Sequence, residues 1–125
     1  MSGPAFIHLA VRTSFSLLES MIGSKALTAW CVDQKMPAVA VTDRNNLFGA
    51  LELSESLSAA GIQPIMACCF DVHSGAYGDT VNRVSVYAQN EQGYKRLMAL
   101  SSAAYLDNDD GVPRLLKSKL LEATD

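Results

Sequence analysis

No run of apolar residues in this 125-residue chain approaches the ~18 that a membrane span needs, so no membrane partner is expected. The opening Met1-Ser2-Gly3-Pro4 lacks the basic and apolar regions of a secretory signal, which points to a cytoplasmic protein. Cysteine is limited to Cys31, Cys68 and Cys69, an odd number with two adjacent. Reduced thiols are therefore expected, not a disulfide framework. Ten basic residues face thirteen acidic ones, for a net charge of −3. The basic residues are scattered and form no stripe for a nucleic-acid groove, so weak or no direct DNA binding is expected. Internal repeats and low-complexity segments are missing, as are a Gly-rich phosphate loop, a Gly-x-Ser-x-Gly elbow and a His-Glu-x-x-His pair. What is present is a globular composition, 49% apolar and 18% charged, at a length natural for one domain.

Strand and helix patterns alternate. Ala5–Val11 reads as a buried strand, and Ser24–Gln34 as a helix with Ser24 as N-cap and Leu27, Trp30 and Cys31 on one face. Pro37 follows it, and the apolar run Ala38–Val41 suits a strand covered on both faces. A second helix is expected over Leu47–Ala60, with Ala50, Leu53, Leu57 and Ala60 forming its stripe. Gly61 sits where a left-handed helix terminator belongs. A third strand over Ile62–Val72, a loop over His73–Asn82 and a fourth strand over Val84–Ala88 follow. Asn90 can cap a helix with Tyr94, Leu97, Met98, Ser101 and Tyr105 on one side. Asp107–Pro113 reads as a loop, and Leu115–Ala123 as a last amphipathic helix. Strands joined through helices imply an α/β fold with mainly parallel strands, either an open doubly wound sheet or part of a barrel. In both, the loops leaving the strand carboxyl ends gather at one rim, where a site would form.

His8, Ala10 and Arg12 alternate along the first strand and should share a face. That set holds one imidazole, so a hydrogen-bonded core or rim residue is the plainer reading of His8 than a metal ligand. Asp43 follows the second strand and could bind a cation; holding the turn and starting the helix is the favoured role. Glu19 could reach the same rim, with a solvated carboxylate as the default. Cys68 and Cys69 are too close together for a zinc pair, and adjacent strand residues point to opposite faces, so both read as small core residues.

Four segments together resemble a known family. Phe6–Glu19 (FIHLAVRTSFSLLE), Pro37–Ala50 (PAVAVTDRNNLFGA), Ala60–Ile65 (AGIQPI) and Asn90–Met98 (NEQGYKRLM) are similar, in collinear order, to the polymerase-and-histidinol-phosphatase (PHP) domain that begins bacterial DNA polymerase III alpha subunits. The resemblance implies the amino-terminal part of a distorted barrel of about seven βα units, with residues 1–125 as a partial PHP domain in a larger subunit. In metal-binding members, histidines fall at Ala10 and Arg12, an aspartate at Glu19, a histidine at Arg44 and a glutamate at Cys69. This chain departs at all five, and His8 and Asp43 match positions flanking the ligands. His8, Ala10, Arg12, Glu19, Asp43, Arg44 and Cys69 are thus expected to mark the rim of a vestigial site, with no bound metal and no catalytic residue. Arginines at such positions repel a dication.

The resemblance further implies a structural and subunit-interaction module. Its partners would be the rest of the polymerase alpha subunit, the proofreading exonuclease subunit and other replisome subunits. No cofactor is expected in this segment; magnesium would serve the nucleotidyl-transfer site elsewhere in the parent polymerase. The competing reading is a metal-dependent phosphoesterase of the histidinol-phosphatase type. Unclosed strand edges are expected to promote self-association. A guanidinium can grip a carboxylate through two hydrogen bonds, so Arg12 or Arg44 is expected to pair with Glu19 or Asp43.

Overall fold

The structure, a computed structural model, describes residues 6–75, 80–107 and 111–123. In chain order its elements are α1 (Ser24–Asp33), β1 (Ala38–Val41), α2 (Ala50–Ala59), β2 (Gln63–His73), β3 (Asn82–Tyr87), α3 (Glu91–Leu106), β4 (Leu115–Leu116) and α4 (Lys117–Glu122). The long strand β2 is the axis of the fold. β1 pairs with its first half in parallel, Ala38 opposite Gln63 through Val41 opposite Met66. β4 pairs with its far end, also in parallel, at Val72 and His73. β3 takes the other edge in antiparallel register, Ala67 opposite Tyr87 through Val72 opposite Asn82. Only eight residues separate β2 from β3, too few for the crossover of about a dozen or more that parallel pairing requires. The sheet is therefore mixed and mostly parallel.

Side-chain alternation along β2 separates core from rim. Cys68, Phe70 and Val72 point into a cluster with Leu97, Leu100 and Ala104 of α3 and Leu115 of β4. A second cluster packs Val39 of β1 against Leu27 and Cys31 of α1 and Leu53 and Leu57 of α2. Each large aliphatic or aromatic side chain buried there contributes about 1.5–3 kcal/mol. Cys69 and Asp71 point the opposite way, onto the face that carries the rim residues described below. Gly61, at φ +79°, ends α2 in the left-handed region as its position predicts.

Several expected boundaries shift. Residues 6–10 form no regular strand: His8 O, Val11 N and Val11 O bond to Ala40 and Thr42, and only Val11 forms a bridge, to Val41. Ala5 lies outside the described residues. This segment pairs on one side only, too sparsely for a full ladder. Gly23, not Ser24, caps α1, because the Ser24 hydroxyl turns to Glu52 on α2. Trp30 is 43% exposed, off the buried stripe. α2 begins at Ala50, since Asn46 binds the Phe48 N–H and holds a turn there, and Ala60 is exposed beyond its end. Asn90 does cap α3, accepting from Gly93 N at 2.8 Å. The buried face of α3 is Leu97, Leu100 and Ala104, rotated from the expected one, which leaves Met98 and Tyr105 over 40% exposed. Leu115 and Leu116 extend β2's sheet before α4 begins, because Leu115 is drawn into the α3 cluster.

Candidate functional site

β1 ends at Val41, but the chain stays in register with β2: Cys69 N donates to Asp43 O at 2.9 Å and Asn45 N to Cys69 O at 2.7 Å. Asn45 adopts φ +56°, and its left-handed backbone turns the chain away toward α2. Asp43 is buried, and its carboxylate faces the loop that follows Arg12. It accepts from Thr13 N at 2.7 Å, Thr13 Oγ1 at 2.7 Å and Ser16 Oγ at 2.8 Å. The Ser16 hydroxyl in turn accepts from Arg44 N at 3.0 Å. A buried carboxylate needs such donors to compensate for lost water, and here they fasten the loop to the end of β1.

Glu19 lies on that loop and is the focus of three guanidinium groups. Arg12 donates to its Oε2, while Arg44 Nη1 and Arg83 Nη2 lie 3.1 and 2.9 Å from its Oε1. Arg44 also grips Asp71 through Nε and Nη2, at 3.1 and 2.6 Å from Oδ2. Arg83 Nε is 3.7 Å from the other Asp71 oxygen, as expected from their facing positions on β3 and β2. Asn45 completes the set, donating to Asp71 and accepting from its N–H. The carboxylates are mostly shielded, at 20% and 6% side-chain exposure, while the arginines are 27–45% exposed. Desolvation pushes the Glu19 carboxyl up, but Arg12, Arg83 and Arg44 together outweigh it and hold it below its ordinary value. The hydrogen bonds that Arg44 donates to Asp71 hold its guanidinium above its ordinary value despite partial desolvation.

The structure brings Arg12, Glu19, Arg44 and Cys69 together, with Cys69 Sγ 3.7 Å from Arg12 Nη2. Asp43 sits beneath them as a turn anchor, paired with hydroxyls and an N–H instead of an arginine. His8 is not part of the cluster. Its ring lies 4.7 Å from Phe6 and 5.4 Å from Trp30, on the α1 side, because the irregular backbone of residues 6–10 breaks the expected alternation with Arg12. Ala10 is exposed and brings no polar side chain. Asp71, Arg83, Thr13 and Ser16 have no assigned role in the sequence reading, although Thr13 and Asp71 begin loops of the rim. Asp71 was the accessible one, two residues after Cys69 and hence on the same face of β2. Arg83 required the hairpin register.

The PHP domain family matches residues 8–125. The chain belongs to the PHP domain family. Among curated relatives, it is 43% identical over 111 residues to the DNA polymerase III subunit alpha of Caulobacter vibrioides, covering 85% of this chain and 10% of that protein. The subunit from Escherichia coli is 35% identical over 84% of this chain, and that from Helicobacter pylori 36% over 94%. The chain spans about a tenth of the length of these relatives. Among solved structures, an amidohydrolase from Chromobacterium violaceum with bound sulfate and no metal superposes with a TM-score of 0.62 at 14% identity, covering 79% of this chain and 33% of that one. A candidate metal-dependent phosphoesterase from Bifidobacterium adolescentis gives 0.58 at 17% identity, covering 85% of this chain and 36% of that one. These likenesses establish the fold as part of a PHP or amidohydrolase-type barrel.

A dication at the position implied by the metal-binding members does not fit these residues. It would meet three guanidinium groups, a carboxylate already saturated by them, and a thiol behind Arg12. Asp43 has its donors in Thr13 and Ser16. Among the described residues, no three His, Cys, Asp or Glu groups converge as a metal site would require.

Proposed function

We propose that this chain is the PHP region of a DNA polymerase III alpha subunit and acts there as a metal-free structural and subunit-interaction module. The observation that carries the reading is the collinear 43% identity to the Caulobacter subunit across 85% of the chain. The arginine–carboxylate cluster supports the second half, since it ties together three segments that a metal would otherwise organise. On this reading residues 1–125 are a partial PHP domain at a degenerate metal site. The parent is a cytoplasmic, magnesium-dependent DNA-directed DNA polymerase, and this segment alone is inactive. Its partners are the rest of the subunit, the proofreading exonuclease and other replisome subunits, with self-association through open strand edges when the segment is isolated.

The test is to recover the natural open reading frame and assay template-directed primer extension with its product and with the 125-residue chain. The long product should extend primers and the short chain should not. A natural product without polymerase activity, or a manganese-stimulated phosphoesterase activity in the short chain, would overturn the reading.

A further inference from the structure

Leu17, Leu18 and Met21 are 82%, 107% and 96% exposed, although the loop that carries them is held firmly. Thr13 and Ser16 are bound to Asp43, Ser14 N donates to Ile22 O at 2.9 Å, and Ser20 Oγ donates to Arg12 O at 2.8 Å. Glu19 adds its three arginines. Phe15 packs so closely on Gly49 that a Cβ there would lie 2.9 Å from its ring, and it meets Phe48 edge-on at 6.4 Å. Phe48 is itself 68% exposed, and Leu51, one turn further, 72%. Leu18 holds φ +65°, a left-handed conformation that Cβ disfavours, and it projects fully into solvent. Large apolar side chains displayed on a pinned loop mark an interaction face.

We propose that this loop, with Phe48 and Leu51, is the face on which the remainder of the long parent polypeptide docks, an inference that rests on the polymerase reading above. Two observations select that occupant. The relatives are about ten times longer than the matched region, so most of the parent lies outside this chain. In the adjacent cluster Arg12, Arg44 and Arg83 are 27–45% exposed while the carboxylates of Glu19, Asp71 and Asp43 are shielded, so it is the positive groups that face solvent beside the apolar tips. The complementary surface is an apolar recess edged by carboxylates. Projecting tips fill a recess; two copies of the same tip do not fill each other.

Methionine oxidation by peroxide, read by mass spectrometry, tests this on unmodified protein. Met21 should oxidise rapidly in the 125-residue chain and about tenfold or more slowly in the natural full-length subunit. Leu18→Asp in the full-length subunit should restore the fast rate, and in the short chain it should leave Met21 unaffected. Equal Met21 rates in a subunit that extends primers would overturn the docking face and leave the polymerase reading standing. Protection of the short chain that grows with its concentration would place a second copy there, and protection that appears only on adding the exonuclease subunit would place that protein there. Either result overturns the proposal. A natural polypeptide no longer than this chain would overturn both readings.

Discussion

Arg44 Nη1 lies 3.1 Å from Glu19 Oε1, joining segments 25 residues apart. The same guanidinium holds Asp71 on β2, so one side chain links the loop, the end of β1 and the central strand. Arg12 and Arg83 converge on the same glutamate from the first segment and from β3. Five parts of the chain thus meet at two carboxylates.

Replacing Glu19 should leave those guanidinium groups facing one another with Asp71 as their remaining carboxylate. Glu19→Ala is expected to cost about 2 kcal/mol, between the values for exposed and buried ion pairs because the arginines are partly solvated. Urea titration of the variant measures it. A loss within about 0.5 kcal/mol, the range of a featureless surface change, would show that the cluster holds nothing together.

Asp43 is more deeply buried and should matter more. Asp43→Ala leaves the Thr13 N–H and hydroxyl and the Ser16 hydroxyl without their acceptor, at about 1–3 kcal/mol for each unsatisfied group. Loss of about 3 kcal/mol or more is expected, with Asp43→Asn intermediate because one acceptor oxygen survives. Comparable stability of the alanine variant and the parent sequence would contradict this assignment.

Much of the helical and strand order is legible in the sequence because apolar periodicity and turn residues are local signals. Asn90 as a cap and Gly61 as a terminator are read from a few neighbours each. The rim is only half legible. Arg12, Glu19, Arg44 and Cys69 stand at positions a family resemblance marks, whereas Arg83 enters only through the antiparallel register of β3, a long-range relationship. The buried face of α3 differs from the expected one for a similar reason: Leu100 and Ala104 are chosen by the fit of α3 on Phe70 and Leu115, which its own sequence does not contain.

Acid should weaken the fold through Glu19. Its folded carboxyl is held below the ordinary value, so below about pH 4.3 the unfolded chain takes up its proton first. The stabilisation is full above the unfolded value and disappears as pH falls through the folded one, while the arginines stay charged throughout. Urea midpoints of the parent and Glu19→Gln should therefore differ at about pH 7 and draw together as pH falls below about 4.3. A constant difference across that interval would remove the charge-based account.

The three cysteines should be silent in the native state. All are buried, and burial pushes the Cys68 thiol up to about 12. At Cys68 the thiolate, the reactive form, is therefore scarce, and burial keeps a reagent away from all three. A thiol reagent at mildly alkaline pH should modify none quickly in the native chain and all three after unfolding in denaturant. Rapid native labelling of Cys68 or Cys69 would mean that the rim opens.

The central claim is that arginine–carboxylate pairing, not a metal, organises this PHP rim. Elemental analysis of natively purified protein, with thermal melts in the presence and absence of a chelator, tests it most directly. The account predicts zinc and manganese far below one per chain and a melting temperature that the chelator does not change. Near-stoichiometric metal, together with a lower melting temperature on its removal, would contradict it.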